Sequence, residues 1–230
     1  MNRMEQYAAA WTAVHPAPHP RAVQVTAHIR AWNPPSLIRA ADILALADLS
    51  AMVVEETPGA TALETGRFFG LSAATMALCG LGVVSFDLNS GPDDDNWFCR
   101  DPDNRILFEQ LAPGWSRMGD ISDRLLRLFD VRQAVQYHDG DTRRAEDWPV
   151  GCFDLVVVDD DHCYEVVSQV LPRAWGRVRP GGWLMAHDYV DVPSFGVIRA
   201  VEEFVSAHPV EGPYCAAGSH YVWWRRPEGT

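Results

Sequence analysis

The segment Leu155-Val-Val-Val158 runs straight into Asp159-Asp160-Asp161-His162. Four apolar residues in a row, three of them β-branched, read as a buried strand of a parallel sheet. In an open α/β sheet, ligands collect beyond the carboxyl ends of the strands. Four ionisable groups therefore stand where a ligand, a metal or a reacting hydroxyl would be met. The same residues also suit an acidic turn that caps the next helix, because aspartate is favoured at helix starts.

Other segments repeat the pattern. Strands are predicted near 61–65, 83–87, 134–138, 154–159 and 182–187. Helices are predicted near 71–80, 120–129, 163–176 and 195–207. Alternation of this kind implies an α/β fold, Rossmann-like and doubly wound, with helices on both faces of a mostly parallel sheet. Ser36 reads as the N-cap of a helix reaching Glu56, where Leu37, Ala41, Leu44, Ala45, Leu49 and Met52 recur near the helical period. Residues 1–35 read as irregular, with His15-Pro-Ala-Pro-His-Pro20 extended by its prolines. The chain thus divides into an N-terminal arm and helix (1–57) and a main domain (58–230).

Residues 88–119 are too long for an ordinary strand-to-helix connection. They carry Pro92, Asp93, Asp95, Trp97, Phe98, Phe108 and Trp115. A long loop of this kind is a substrate cover, a subunit contact or a passive insertion. Its aspartates lack the spacing of a calcium loop.

Composition excludes several classes. The formal charge of −12 repels phosphate backbones, so nucleic acid is not an expected partner. No run approaches a membrane span. Five cysteines without a C-x-x-C pair fit reduced thiols and a cytoplasmic setting. The turn Gly66-x-x-x-Gly70 is not the G-x-G-x-x-G of dinucleotide folds. Gly70-Leu-Ser72-Ala-Ala74 lacks the last glycine of a nucleophile elbow.

Five motifs stand in order: Glu64-Thr-Gly66-Arg-Phe-Phe-Gly70-Leu-Ser72, Asp87, Gly140-Asp141, Asp159 to Glu165, and Pro180-Gly181-Gly182 with His187-Asp188-Tyr189. Together they resemble class I S-adenosylmethionine-dependent methyltransferases, and within them the small-molecule O-methyltransferase branch that acts on sugars and natural products. The resemblance covers roughly residues 60–224. Asp160 departs from it, standing where the family often has glycine.

The resemblance implies a seven-stranded sheet closed by an antiparallel C-terminal hairpin. It implies S-adenosylmethionine held by Glu64 (ammonium), Gly66, Gly70, Ser72, Asp87 (ribose), Asp141 (adenine) and Asp159. Asp87 lies at about the 20-residue offset from Gly66 at which an acid meets ribose. An alcohol needs help to lose its proton, from a general base or a cation. The resemblance offers His162, Asp159 and His187 as catalytic groups. It offers Asp159, His187 and Asp188 as ligands for Mg²⁺ or Mn²⁺, the histidine shifting preference away from magnesium. A small-molecule substrate and a homo-oligomer are expected. N-methyl transfer and a non-catalytic cofactor-binding module are the alternatives. Tyr164, Trp183 and Tyr189 suit either a substrate pocket or the core. Trp223-Trp224 is expected to cover a sheet face and an interface.

Overall fold

A computed structural model of the chain describes residues 2–32, 38–91, 94, 102–192 and 196–229. The expected cap at Ser36, and Pro92, Asp93, Asp95, Trp97 and Phe98, lie outside the described residues.

Seven strands form one sheet: β1 (Thr61–Thr65), β2 (Gly82–Asp87), β3 (Val135–Asp139), β4 (Phe153–Val158), β5 (Val178–Ala186), β6 (Glu211–Cys215) and β7 (Val222–Arg225). Their order is β3-β2-β1-β4-β5-β7-β6. The first five are mutually parallel, and β7 runs antiparallel to both β5 and β6. The chain reverses direction in strand order between β1 and β4, the switch point at which doubly wound sheets bind ligands.

Period-two alternation puts a core on each face of the sheet. Leu155 and Val157 join one cluster with helices α1 (Arg3–Val14), α2 (Pro20–Trp32), α3 (Ala40–Glu56) and α4 (Leu71–Cys79). Val156 and Val158 join the other, beneath the helices at Tyr164–Trp175 and Val197–Ala207. Trp223 and Trp224 split in the same way, each buried on its own face. The expected role of this pair at an interface is replaced by core packing. Trp183 and Tyr189 are likewise core residues, and Tyr164 is half-buried.

Two expectations are corrected. Residues 3–14 and 20–32 are helical, not irregular. Asn2 and Glu5 form a capping box at the start of α1, with reciprocal hydrogen bonds of 2.9 and 2.8 Å. Pro20 is the first residue of α2, where its missing N–H costs nothing. Helix α1 is anchored by Trp11, edge-on to Trp183 and Trp223. Strand β5 begins at Val178 rather than near 182, because Val178 pairs with Phe153 of β4, and Gly181 and Gly182 exchange backbone hydrogen bonds with Arg226 beyond β7.

The insertion is not a bare loop. It holds α5 (Pro102–Leu111) and leads into α6 (Met118–Leu128). Phe108, Trp115, Met118 and Ile121 make a satellite core with Phe69 of the glycine turn. Helices α7 (Tyr164–Trp175) and α8 (Val197–Ala207) complete the described α-helices.

Candidate active site

The turn after β1 is pressed between its neighbours. Gly66 and Gly70 have φ of 83° and 77°, a region glycine occupies without strain. A Cβ on Gly66 would lie 1.9 Å from the carbonyl oxygen of Asp159, and one on Gly70 would lie 2.1 Å from Ser122 Oγ. Both glycines are thus required by the chain's own packing. Gly70 offers no side chain to cap α4, which leaves the first-turn amides of that helix, Ser72 included, to partners from outside.

Glu64, at the end of β1, is wholly buried. It accepts hydrogen bonds from Ser72 Oγ and, at 2.7 Å, from Ser85 Oγ. Burial pushes its carboxyl up to about 7. At the end of β2, Asp87 accepts the backbone N–H of Arg67 at 2.7 Å and of Asn89 at 2.6 Å. It therefore ties the glycine turn to the root of the insertion. Arg67 is buried across the ends of β2 and β3. Its Nη2 donates to Ser85 O and to Asp139 Oδ1, and its guanidinium lies 4.0 Å over the Tyr137 ring. Asp141 forms a two-pronged pair with Arg143, which holds its carboxyl below the usual range.

The second group lies at the ends of β4 and β5. Asp159 is tied to β1 through its N–H, which donates to Thr65 O at 3.0 Å. His187 is buried, and its Nδ1 lies 3.1 Å from both Asp159 Oδ1 and Asp188 Oδ2. Its Nε2 lies 3.7 Å from Asp42 Oδ2, from the first turn of α3. Burial disfavours a charged ring, but the carboxylates of Asp159, Asp188 and Asp42 outweigh it and push His187 up to about 12. Asp188 takes a left-handed backbone, φ 54°, which turns its carboxylate toward both histidines. His162 Nε2 sits 2.8 Å from Asp188 Oδ2, and that bond raises the His162 pKa above its ordinary value. Burial raises the Asp159 carboxyl and pushes Asp160 up to about 6. Gly196 underlies the loop: its N–H donates to His162 O at 2.7 Å, and a Cβ there would meet Tyr164 N at 2.3 Å.

Among the described residues, two sets of donor atoms each lie within 4.8 Å of one another: Asp159, His162 and Asp188, and Asp42, His187 and His220. Of the residues singled out in the sequence, Asp159, His162, His187 and Asp188 thus converge, and Glu64, Gly66, Gly70, Ser72 and Asp87 line the adjoining turn. Asp141 stands apart at the end of β3. Sequence reasoning missed Asp42, Arg67 and Gly196. Asp42 carried no motif, and only the α3 pattern pointed to its element.

Residues 63–189 match the methyltransferase domain family. No curated protein matches the sequence. Among solved structures, the fold is similar to an O-methyltransferase from Streptomyces achromogenes involved in tomaymycin synthesis, in complex with S-adenosylmethionine. That chain is 16% identical, with 99% of this chain and 100% of the other covered and a TM-score of 0.56. It is also similar to an O-methyltransferase from Bacillus cereus in complex with S-adenosylhomocysteine, 15% identical over 97% of this chain and 100% of the other, with a TM-score of 0.54. Sheet order, the glycine turn and the matched stretch agree, and the chain belongs to the methyltransferase domain family, with the class I S-adenosylmethionine-dependent fold.

Proposed function

We propose that this enzyme moves a methyl group from S-adenosylmethionine to a hydroxyl oxygen of a small, sugar-like or natural-product substrate, with His162 as general base. The observation that carries the reading is the His162 Nε2–Asp188 Oδ2 contact of 2.8 Å beyond the carboxyl ends of β4 and β5. A hydrogen-bonded carboxylate–imidazole pair fixes the ring and its tautomer. With Nε2 donating to Asp188, Nδ1 is the nitrogen that takes the acceptor's proton. The names of the structural neighbours support oxygen as the acceptor atom.

The donor set fits the cofactor. The uncapped start of α4 with Ser72 suits its carboxylate, Glu64 its ammonium, and Asp87 its ribose hydroxyls. Each Asp87 oxygen accepts one backbone N–H and keeps a lone pair for a hydroxyl. Asp141 and Gly140 stand at the adenine end, and Asp159 borders the methionine end. When bound, S-adenosylmethionine supplies the activated methyl group; the protein orients the acceptor and receives its proton.

The grouping of Asp159, His162 and Asp188 favours a second reading, in which a divalent cation such as Mg²⁺ or Mn²⁺ polarises the acceptor. His187 Nδ1, 3.1 Å from both carboxylates, joins such a set only without its proton.

The test combines calorimetry with S-adenosylhomocysteine and a hydroxyl-acceptor panel read by release of that product, with and without chelator. Turnover that survives chelator and is lost in His162→Ala, by about 10²–10⁴-fold, supports the base. Turnover abolished by chelator and restored by Mg²⁺ or Mn²⁺ supports the cation. Methyl transfer to amines alone overturns the oxygen assignment.

A further inference from the structure

Asp42 lies outside the matched methyltransferase stretch, at the third position of α3, yet it is among the most buried charged groups of the chain, 1% exposed. Its carboxylate joins three segments far apart in sequence. Oδ1 accepts from Ser219 Oγ at 2.9 Å and from the His220 N–H at 2.6 Å, both in the turn between β6 and β7. Oδ2 accepts from Arg39 Nε at 3.0 Å. The same Oδ2 faces His187 Nε2 at 3.7 Å, and that nitrogen is buried without a hydrogen-bond partner. At 3.7 Å this contact is longer than a hydrogen bond, so Asp42 backs the ring by charge and packing rather than by a bond.

The consequence follows from where the other ring nitrogen points. His187 Nδ1 faces Asp159 and Asp188 at equal distances of 3.1 Å. Tyr221 covers one side of the ring, with centroids 4.4 Å apart, and the His220 ring lies 6.3 Å away. The imidazole is thus a spacer with a carboxylate behind it and two in front, one of which, Asp188, holds His162. The Asp42–His187–His220 set is not an open coordination sphere, because Arg39, Ser219 and His220 N–H already hold both Asp42 oxygens.

We propose that Asp42 is a positioning residue of the methyl-transfer centre: it holds the back of the His187 ring and, through that ring, fixes Asp159 and Asp188 and so the orientation of His162. The inference rests on the reading of Asp159, His162 and Asp188 as the reacting centre. It makes the N-terminal helix α3 and the β6–β7 turn parts of the site, although neither touches the acceptor side.

The experiment uses the full-length protein with bound S-adenosylhomocysteine and long-range ¹H–¹⁵N spectra of the histidine rings, which need no acceptor. In Asp42→Asn, the ring signals of His187 should shift as its orientation changes, and those of His162, held through Asp188, should shift with them. Asp42→Glu should restore both patterns in part. S-adenosylhomocysteine affinity in Asp42→Asn should stay within about twofold of the parent value, the range expected for a site not touched directly. Unchanged His162 signals in a folded Asp42→Asn protein would overturn the proposal. So would a loss of cofactor affinity equal in the Asn and Glu variants, which marks a purely structural role. Failure of the methyl-transfer reading shows separately, as absent S-adenosylhomocysteine binding by the parent protein.

Discussion

Glu64 and Asp188 show how a residue's surroundings set its chemistry. Glu64 keeps its proton in the folded chain up to pH of about 7, whereas the unfolded chain releases it near 4.5. The folded state binds the extra proton between those values, so this group's contribution to stability falls as pH rises from 4.5 to about 7 and is level above. The span corresponds to on the order of 3 kcal/mol. Thermal melts of Glu64→Gln should lack that slope relative to the parent protein. An ammonium brought to Glu64 favours the ionised form, so S-adenosylhomocysteine affinity should rise with pH toward 7 in the parent and stay flat in Glu64→Gln. Asp188 raises the pKa of His162 as well, but by hydrogen bonding that favours the charged ring, and so delays the free base to higher pH. Methyl-transfer rate should rise with pH, with a midpoint above the ordinary histidine value. Asp188→Asn should move that midpoint down while lowering the plateau. An unmoved midpoint would assign the titration to another group.

At the scale of elements, the insertion matters through what it packs against. Phe108 meets Phe69, a residue of the glycine turn, with ring centroids 5.4 Å apart, and Trp115 packs on Phe108 at 5.0 Å. Met118 N–H donates to Ser90 O, and Gly119 N–H to Asn89 Oδ1, so the two ends of the insertion are zipped beside Asp87. The buried Phe108 side chain is the centre of this cluster. Phe108→Ala should cost about 3–5 kcal/mol if the cluster melts together with the main core. A smaller loss, with faster hydrogen exchange confined to 102–119, would show that the insertion opens by itself. In either case S-adenosylhomocysteine should slow exchange at 88–91, because Asp87 anchors both the turn and Asn89.

Over the whole molecule, the N-terminal helices belong to the same body as the sheet. Trp11, Ala22, Ile29 and Leu46 share a core cluster with Leu155 and Trp223. A chain beginning at residue 58 should therefore expose that face and aggregate rather than bind cofactor, which light scattering and calorimetry would show. Among the described residues no helix is long and apolar enough to cross a membrane. The expected homo-oligomer has a candidate contact at Trp32, a large apolar residue 54% exposed. If that face pairs, Trp32→Asp should lower the mass measured by light scattering without loss of cofactor binding.

The sequence by itself determined the α/β class, the four parallel strands from β1 to β4, and the positions of Glu64, Asp87, Asp159, His162 and Asp188 at strand ends. These are local matters: an apolar run, a glycine turn and an acid that follows a strand can be read from neighbours along the chain. It also held the Asn2–Glu5 box and the Pro20 helix start, which the proline-rich stretch between them obscured. Tertiary structure alone decided the rest. Gly66 and Gly70 are glycines because Asp159 and Ser122, far along the chain, lie where a side chain would go. His187 meets Asp159 and Asp188, as the motifs implied, but the third carboxylate, Asp42 from α3, is one that no motif revealed. The electrostatics of a buried group depend on what folds around it, and that environment exists only once α3, β4, β5 and the β6–β7 turn have met.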